Sequence, residues 1–512
     1  MRPSDIIVVV DYGGQYTHLI ARRVRQLRVY SEIVPYHASI ERIIRLRPRG
    51  LILSGGPRSV YDTNAPKLDK RLLELGIPVL GICYGHQLIA HTLGGKVDRG
   101  VGEYGKAMLR ILKKDPLFEG LDAEETVWMS HRDQVVKLPE SLEALACTEN
   151  TPIAAFKHKK LPIYGVQFHI EVSHTPKGMK LLENFLYKIC ECSPSWNPTN
   201  MIERIVREIR RSVRANEKVL CAVSGGIDST TTAVLVHRAI GDRLVTVFVN
   251  HGLMRKGEPE YVLKVLRELG LNPIYVDAKD RFLGRLKGIA DPEEKRKVIG
   301  EEFIRVFEEV AKNIQGIKWL AQGTIYPDVI ESGSSSAGAA RIKSHHNVGA
   351  LPEKMGLKLL EPLRYFYKDE VRMIARELGI PEKLIRRHPF PGPGLAVRII
   401  GEVTPEKLRI VREASAIVEE ELRRAGLYDD VWQAFAVVGN DTWVGVLGDE
   451  RRLGHIVIIR IVESVEAMTA DWARIPYEVL DRISRRITGE VEGVTMVAYA
   501  ISSKPPSTIE PC

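Results

Sequence analysis

Residues 219–229 read Val-Leu-Cys-Ala-Val-Ser-Gly-Gly-Ile-Asp-Ser, an apolar run that closes on the string Ser224-Gly-Gly-Ile-Asp-Ser229. A hydrophobic strand that feeds a glycine turn and then a helix forms a cradle for phosphate. The glycines let the backbone close around an anion, and the helix N-terminus presents free N–H groups and a positive dipole end. No lysine follows the glycines, so this is not the GxxxxGK[ST] loop. Gly225 and Gly226 by themselves would mark only a strand-to-helix turn, and Asp228 and Ser229 are ordinary first-turn helix residues. The complete string behind a buried strand points instead to a nucleotide site formed by Ser224, Gly225, Gly226, Ile227, Asp228 and Ser229.

The alternation of short apolar runs and amphipathic stretches continues on both sides. A long amphipathic helix precedes the motif from about Met201, and Leu244–Val249, Pro273–Val276 and Trp319–Ala321 read as further strands. Residues 1 to about 190 carry the same pattern. Ile6–Val10, Leu51–Leu53 and Val79–Ile82 read as strands, and Tyr16–Leu27 reads as a helix. The fold class is α/β, with two parallel-sheet domains. Cys192-Ser-Pro-Ser-Trp-Asn-Pro-Thr199 reads as a linker. Pro389-Phe-Pro-Gly-Pro-Gly394 is a rigid breaker, followed by a helix over 404–425 and β-like runs at 434–438, 443–447, 454–462 and 494–501. These last elements make a smaller α+β domain, so the expected domains are 1–194, 200–395 and 396–512. Residues 332–340 have no burying pattern and read as a plain loop or a lid.

A chain of 512 residues exceeds the roughly 250–300 residues at which single cores stop growing. Apolar residues make up 44% and charged residues 27%, and no apolar run approaches the ~18–20 residues of a membrane span. The N-terminus lacks the h-region of a signal peptide, so a cytoplasmic location is expected. Six cysteines are too few for a disulfide framework. Cys190 and Cys192 form a C-x-C without a zinc partner at the usual spacing and read as linker or surface residues. The net charge of +9 suits anionic ligands, but the basic residues are spread out and interleaved with acids. No nucleic-acid surface is expected.

A second constellation lies in the N-terminal region. Val79-Leu-Gly-Ile-Cys-Tyr-Gly-His-Gln87 puts Cys83 at a sharp turn between a buried strand and a helix, where the helix N-terminus stabilises a thiolate. A thiolate that attacks a carboxamide needs a base and a group to orient it. Val166-Gln-Phe-His-Ile-Glu171 offers both, because an extended chain puts His169 and Glu171 on one face. The backbone of Ser54-Gly-Gly-Pro57, through Gly56, can point N–H groups at an oxyanion together with the N–H of Tyr84. Each element alone is weak, since a Cys at a strand end is more often a small buried hydrophobe. The three together, each at a strand end, form a candidate triad.

This arrangement resembles class I glutamine amidotransferases, in which a Cys, a His and a Glu release ammonia from glutamine. Gln87, His131 and Asp133 would then face glutamine. The string at 224–229 resembles the PP-loop of ATP pyrophosphatases, of adenine-nucleotide α-hydrolase-like fold. Over essentially its whole length the chain is similar to the glutamine-hydrolysing GMP synthetase family. Asp11-Tyr-Gly-Gly-Gln-Tyr16, Gln322-Gly-Thr-Ile-Tyr-Pro-Asp-Val-Ile-Glu-Ser332, Lys343-Ser-His-His-Asn-Val-Gly349, the Pro389–Leu395 segment and Lys504-Pro-Pro-Ser-Thr-Ile-Glu510 carry that likeness. The resemblance implies that xanthosine monophosphate (XMP), ATP and glutamine are converted to GMP, AMP, pyrophosphate and glutamate, with Mg2+ accompanying ATP. It implies that residues 224–229 hold the pyrophosphate, that Asp228 touches the metal, and that Asp328 and Glu331 meet ATP or the adenylated intermediate. Lys343 would be carried to the phosphates by a lid over 332–340. Arg398, Lys504, Ile509 and Glu510 would grip XMP, and the third domain would complete that site and form a homodimer.

Three positions depart from the family pattern. Val249-Asn-His-Gly252 has Asn250 where an acid is usual, Glu450 follows Gly448-Asp449 where a glycine is usual, and the chain ends Glu510-Pro-Cys512 in place of Glu-Trp-Glu. Other readings are another PP-loop amidotransferase, such as a glutamine-dependent NAD synthetase, and a regulatory protein that kept the fold and lost the chemistry. The former family carries a nitrilase-type glutaminase unlike the Cys83 elbow, and the latter predicts losses at Cys83, His169, Glu171 or 224–229, all of which are intact.

Overall fold

A computed structural model describes residues 5–334, 356–447, 449–464 and 469–511. The chain divides into two compact units, Met1–Asn197 and Pro198–Cys512.

The first unit is built on β1 (Ile6–Asp11), β2 (Tyr30–Pro35), β3 (Gly50–Leu53), β4 (Val79–Ile82), β5 (Lys96–Ile111), β6 (Glu124–Lys137), β7 (Leu142–Cys147), β8 (Ala155–His158) and β9 (Ile163–Val166). They form one sheet in the order β2-β1-β3-β4-β9-β8-β7-β5-β6. The first five are parallel. β1, β3, β4 and β9 are buried along nearly their whole length, which is why they read as unbroken apolar runs. The other four strands extend the sheet by antiparallel pairing. The sequence reading, which expected parallel strands alone here, missed them. β5 and β6 have one wet face and carry charged residues along it, so they lack an apolar run. Cys190 and Cys192 are buried, which corrects their reading as surface residues. A Cβ on Gly50 would fall 2.5 Å from the Cys190 sulfur, so the thiol fills the space a side chain would take beside β3.

In the second unit β10 (Lys218–Ala222), β11 (Leu244–Asn250), β12 (Ile274–Asp277), β13 (Ile317–Ala321) and β14 (Lys358–Leu360) form a parallel sheet in the order β12-β11-β10-β13-β14. The chain leaves β10 toward β11 on one side and is joined by β13 on the other. The C-terminal end of β10 is therefore a topological switch point, where open α/β sheets bind ligands. The string at 224–229 lies there. β15 (Gln433–Leu447), β16 (Glu450–Glu463), β17 (Asp471–Trp472) and β18 (Val494–Tyr499) form a mixed sheet. In it β16 pairs antiparallel with β15 and β17 and parallel with β18. The runs at 434–438 and 443–447 are one strand, with an irregularity between Val438 and Thr442. Leu220, Val247 and Leu320 of the parallel sheet share a core with Leu395, Val411, Ile459 and Ile483. The change at 395/396 is thus one of architecture, with no gap in the packing. The helix Tyr326–Ser334 runs into the expected 332–340 loop, whose remaining residues, with Lys343 and the 343–349 stretch, lie outside the described residues. Among the described residues no helix is long and apolar enough to cross a membrane.

The helix Tyr84–Thr92 lies directly on the first sheet. A Cβ on Gly85 would sit 2.4 Å from the Leu53 carbonyl oxygen, and one on Gly81 2.5 Å from the Gly85 backbone. These atoms are backbone and cannot swing away. Gly85→Ala is expected to cost about 1–3 kcal/mol of stability, measured by denaturant unfolding of the purified chain; unchanged stability would contradict this contact.

Candidate active sites

Cys83 leaves β4 with φ at +53°, a conformation a non-glycine residue rarely holds and one associated with functional strain. Its N–H donates to the Val166 carbonyl at 2.8 Å, which ties the elbow to the end of β9. The thiol is buried and lies on a cavity of about 340 Å³ lined also by Gly56, Tyr84, Gln87, Tyr104, His131 and Asp133. β9 ends at Val166, so residues 167–171 are not the extended chain expected; they bend away from the strand. Even so His169 Nδ1 and Glu171 Oε1 meet at 2.7 Å. The bend is held by Thr175, whose hydroxyl donates to the His169 carbonyl at 2.6 Å, and by Arg23, whose Nε donates to the Glu171 carbonyl at 3.0 Å. A Cβ on Gly55 would touch both His169 Cε1 and Cys83 Cβ, so the glycine fills the angle between ring and thiol.

Burial disfavours a charged His169, but the neighbouring Glu171 and Cys83 outweigh it and raise the imidazole well above its ordinary value. Glu171 takes Nδ1 and leaves Nε2 for the sulfur side, the tautomer a general base needs. His131 behaves differently. Burial lowers its pKa, and Nδ1 is engaged with the Asp133 carbonyl at 3.0 Å. Gln87 donates its amide to the same carbonyl at 2.7 Å and to Gln167 Oε1 at 3.2 Å. Gln167, inside the Val166–Glu171 string but without a predicted role, donates toward Cys83 Sγ at 3.8 Å. A Cβ on Gly56 would lie 2.9 Å from the Tyr12 carbonyl and 3.0 Å from the Tyr84 ring, so only glycine fits at that wall.

At the switch point in the second unit Gly225 has φ at +78°, and a Cβ there would lie 2.4 Å from Val262. Gly226 precedes the helix Ile227–Ile240 and offers no side-chain cap, which keeps the helix N-terminus open to an anion. The turn is closed on itself. The hydroxyls of Ser224 and Ser229 lie 3.1 Å apart, and Ser229 donates to the Gly226 carbonyl at 3.1 Å. Asp228 Oδ2 pairs with Lys368 Nζ at 2.5 Å, while Oδ1 is buried without a hydrogen-bond partner. Lys368 had no signal in the sequence, being 140 residues away. Among the described residues no cluster of three or more His, Cys, Asp or Glu could hold a metal. Mg2+ needs no such cage, because it is commonly bound by one or two carboxylates plus substrate phosphates. The orphaned Asp228 Oδ1 beside the cradle fits that role. Asp328 Oδ2 accepts from the Ile325 N–H at 3.1 Å, and Glu331 lies on the same helix. Asn250 donates to the Tyr275 hydroxyl of β12 at 2.9 Å and accepts from the Gly252 N–H of its own loop at 3.1 Å.

The C-terminal residues are brought together with Arg398. Its guanidinium donates to both Glu510 oxygens, at 3.1 and 2.9 Å, and lies 4.1 Å above the Phe435 ring. Gln433, also unmarked by sequence, donates to Glu510 Oε1 at 2.6 Å. A carboxylate offers about four acceptor positions and these bonds use three, so Oε2 keeps capacity for one more donor. Ile509 packs with Phe435, Val437 and Val462. Lys504 pairs through its backbone with Ala470.

Residues 8–189 match the family described as glutamine amidotransferase class-I, residues 200–300 match NAD synthase and residues 420–511 match the GMP synthase C terminal domain. The class is that of a glutamine amidotransferase joined to an ATP-pyrophosphatase-type domain. A GMP synthase [glutamine-hydrolyzing] of Pyrobaculum aerophilum is 58% identical over 506 residues, 99% of each chain. Those of Carboxydothermus hydrogenoformans and Aquifex aeolicus are 55% and 57% identical over 98% of this chain and 99% of theirs. The chain belongs to the glutamine-hydrolysing GMP synthase family.

Because the folded-state pKa of His169 is raised, its pairing with Glu171 stabilises the fold below the ordinary imidazole value of about 6.5. That contribution is lost as pH rises through the raised value. Wild type is therefore expected to exceed Glu171→Gln in unfolding free energy by more at pH 6 than at pH 9, read from urea titrations. A difference independent of pH would contradict the pairing.

Proposed function

We propose that this chain makes GMP from XMP, ATP and glutamine, with the three segments 1–194, 200–395 and 396–512 acting as glutaminase, ATP pyrophosphatase and acceptor-completing dimerisation module. The observation that carries the reading is the pairing of an intact Cys83–His169–Glu171 set in one unit with an uncapped phosphate cradle at the switch point of the other, in a chain collinear with full-length GMP synthases.

In the first unit the Cys83 sulfur attacks the carboxamide carbon of glutamine. The N–H groups of Gly56 and Tyr84 hold the oxyanion. His169, oriented by Glu171, takes the thiol proton and gives it to the leaving ammonia, then takes one from the water that hydrolyses the thioester and returns it to the Cys83 sulfur. Gln87, His131 and Asp133 line the glutamine pocket.

In the second unit the XMP C2 oxygen attacks the α-phosphorus of ATP, and pyrophosphate leaves into the cradle of residues 224–229. Ammonia then displaces AMP from C2 to give GMP. Ammonia is a nucleophile only unprotonated, which favours its delivery through a dry route. Asp228, through its free Oδ1, would hold Mg2+ with the phosphates; the metal supplies charge neutralisation of the departing pyrophosphate. Asp328 and Glu331 meet the nucleotide, and a lid over 332–340 would carry Lys343 to the phosphates. Arg398 and Glu510 read the purine, Ile509 packs beneath it, and Lys504 takes the XMP phosphate. A cytoplasmic location belongs to the same reading, since a free catalytic thiol suits a reducing compartment.

GMP and AMP assays test the whole scheme. Wild type is expected to use glutamine or ammonium, Cys83→Ala ammonium alone, and Asp228→Asn neither at more than about one-hundredth of the wild-type rate. Absence of GMP from wild type with both nitrogen sources would sink the proposal.

Homodimerisation is supported by the outer half of the β15–β16 ribbon, where Trp443, Val444, Val446 and Leu453 are all more than half exposed. Contiguous apolar exposure of this kind marks an interaction surface. Sedimentation velocity is expected to give a dimer for wild type and a monomer for Val446→Glu; a monomeric wild type rejects it.

A further inference from the structure

We infer that Lys295, which belongs to neither site, is a positioning residue for Arg398 and through it for the purine nucleotide. The inference rests on the proposed role of Arg398 in gripping XMP.

Lys295 lies in the first turns of the helix Pro292–Lys312 and is fully buried. Its ammonium donates to the Ile399 carbonyl at 2.7 Å and to the Ala396 carbonyl at 3.2 Å. These two carbonyls bracket Arg398, one residue after it and two before. The segment Gly394–Arg398 is a single tight turn, and a helical turn leaves its last carbonyls without partners inside the turn. An ammonium with three donors on a flexible stem satisfies the Ala396 carbonyl inside the turn and the Ile399 carbonyl just past its end. The other end of the turn is pinned as well, by the Leu395 N–H on the Leu253 carbonyl at 2.8 Å. Beyond it the Ile400 N–H donates to the Val438 carbonyl at 2.9 Å.

The side chain of Arg398 then has one course, across Phe435 and into the forked pair with Glu510. Without the ammonium, two buried carbonyls would lose donors that water cannot replace. The turn would relax to recover them, and the guanidinium would move with its backbone. Burying a lysine is unfavourable compared with an apolar side chain of the same length. Methionine would fill the space at less desolvation cost, so the charge serves the turn rather than the packing.

The test uses the full-length enzyme with saturating ammonium, and measures kcat, the KM for XMP and the KM for ATP in Lys295→Met, Lys295→Gln, Arg398→Lys and the double variant Lys295→Met/Arg398→Lys. Lys295→Met is expected to raise the KM for XMP about tenfold, with the KM for ATP and glutaminase turnover unchanged. Lys295→Gln, which keeps a donor, is expected to recover part of the loss. The double variant is expected to be no worse than the poorer single variant, because both act on one group. An unchanged KM for XMP in folded Lys295→Met overturns the inference, as does a loss spread equally over both substrates or additive with Arg398→Lys. If Lys295→Met does not fold, Lys295→Gln is judged by the same criteria. If Arg398→Lys leaves the KM for XMP unchanged, the role of Arg398 itself fails, and the positioning role fails with it.

Discussion

A parallel strand that ends on a helix leaves the first amides of that helix without partners, and both candidate sites are built on this. Cys83 stands between β4 and Tyr84–Thr92, and the 224–229 turn between β10 and Ile227–Ile240. In each case glycine removes a Cβ at a close contact. Gly81 and Gly85 let the first helix rest on the sheet, and Gly225 lets the second turn pass Val262 of the neighbouring helix Glu258–Glu268. One construction thus yields a buried nucleophile facing a cavity in one unit and an anion cradle in the other. What differs is the residue at the turn: a thiol for acyl chemistry, or a ring of hydroxyls and amides for phosphate.

Three carboxylates do the electrostatic work, each in a different environment. Glu171 places one oxygen on His169 Nδ1 and raises the affinity of the ring for a proton against burial, while its Oε2 is buried without a hydrogen-bond partner. Asp228 is half committed, one oxygen on Lys368 and the other free. Glu510 is nearly saturated by Arg398 and Gln433. All three keep acceptor capacity, and at Asp228 and Glu510 that capacity lies at groups proposed to meet a cation or a purine donor.

The parallel strands β1, β3, β4, β10, β11 and β13 were legible because they are largely buried and their apolar runs are nearly continuous, whereas β2 and the exposed β14 were not. β5 to β8 were not, since one face of β5 and β6 meets water and its charges mask the alternation. The 224–229 string and the Cys83 elbow were legible because turn chemistry is local: glycine, a small nucleophile and a strand are neighbours in the chain. Gln167, Lys368, Gln433 and Lys295 were not. Lys368 reaches Asp228 from 140 residues away, and Lys295 reaches Ile399 from 104. A lysine on a helix gives no sign of being buried until the packing is known. The C-x-C pair was misread for the same reason, because Cys190 is buried beside Gly50 of a distant strand.

By itself the chain of residues determined the α/β class, the strand-to-helix turns at both sites and the family, because these rest on short-range chemistry: apolar periodicity, glycine freedom and helix termini. Only the tertiary structure decided that Asp228 faces a lysine, that Arg398 and Glu510 close on each other, and that the last α+β segment shares a core with the parallel sheet. Those outcomes are set by which distant groups must be buried together, where each charge or carbonyl taken from water has to find its partner across the fold.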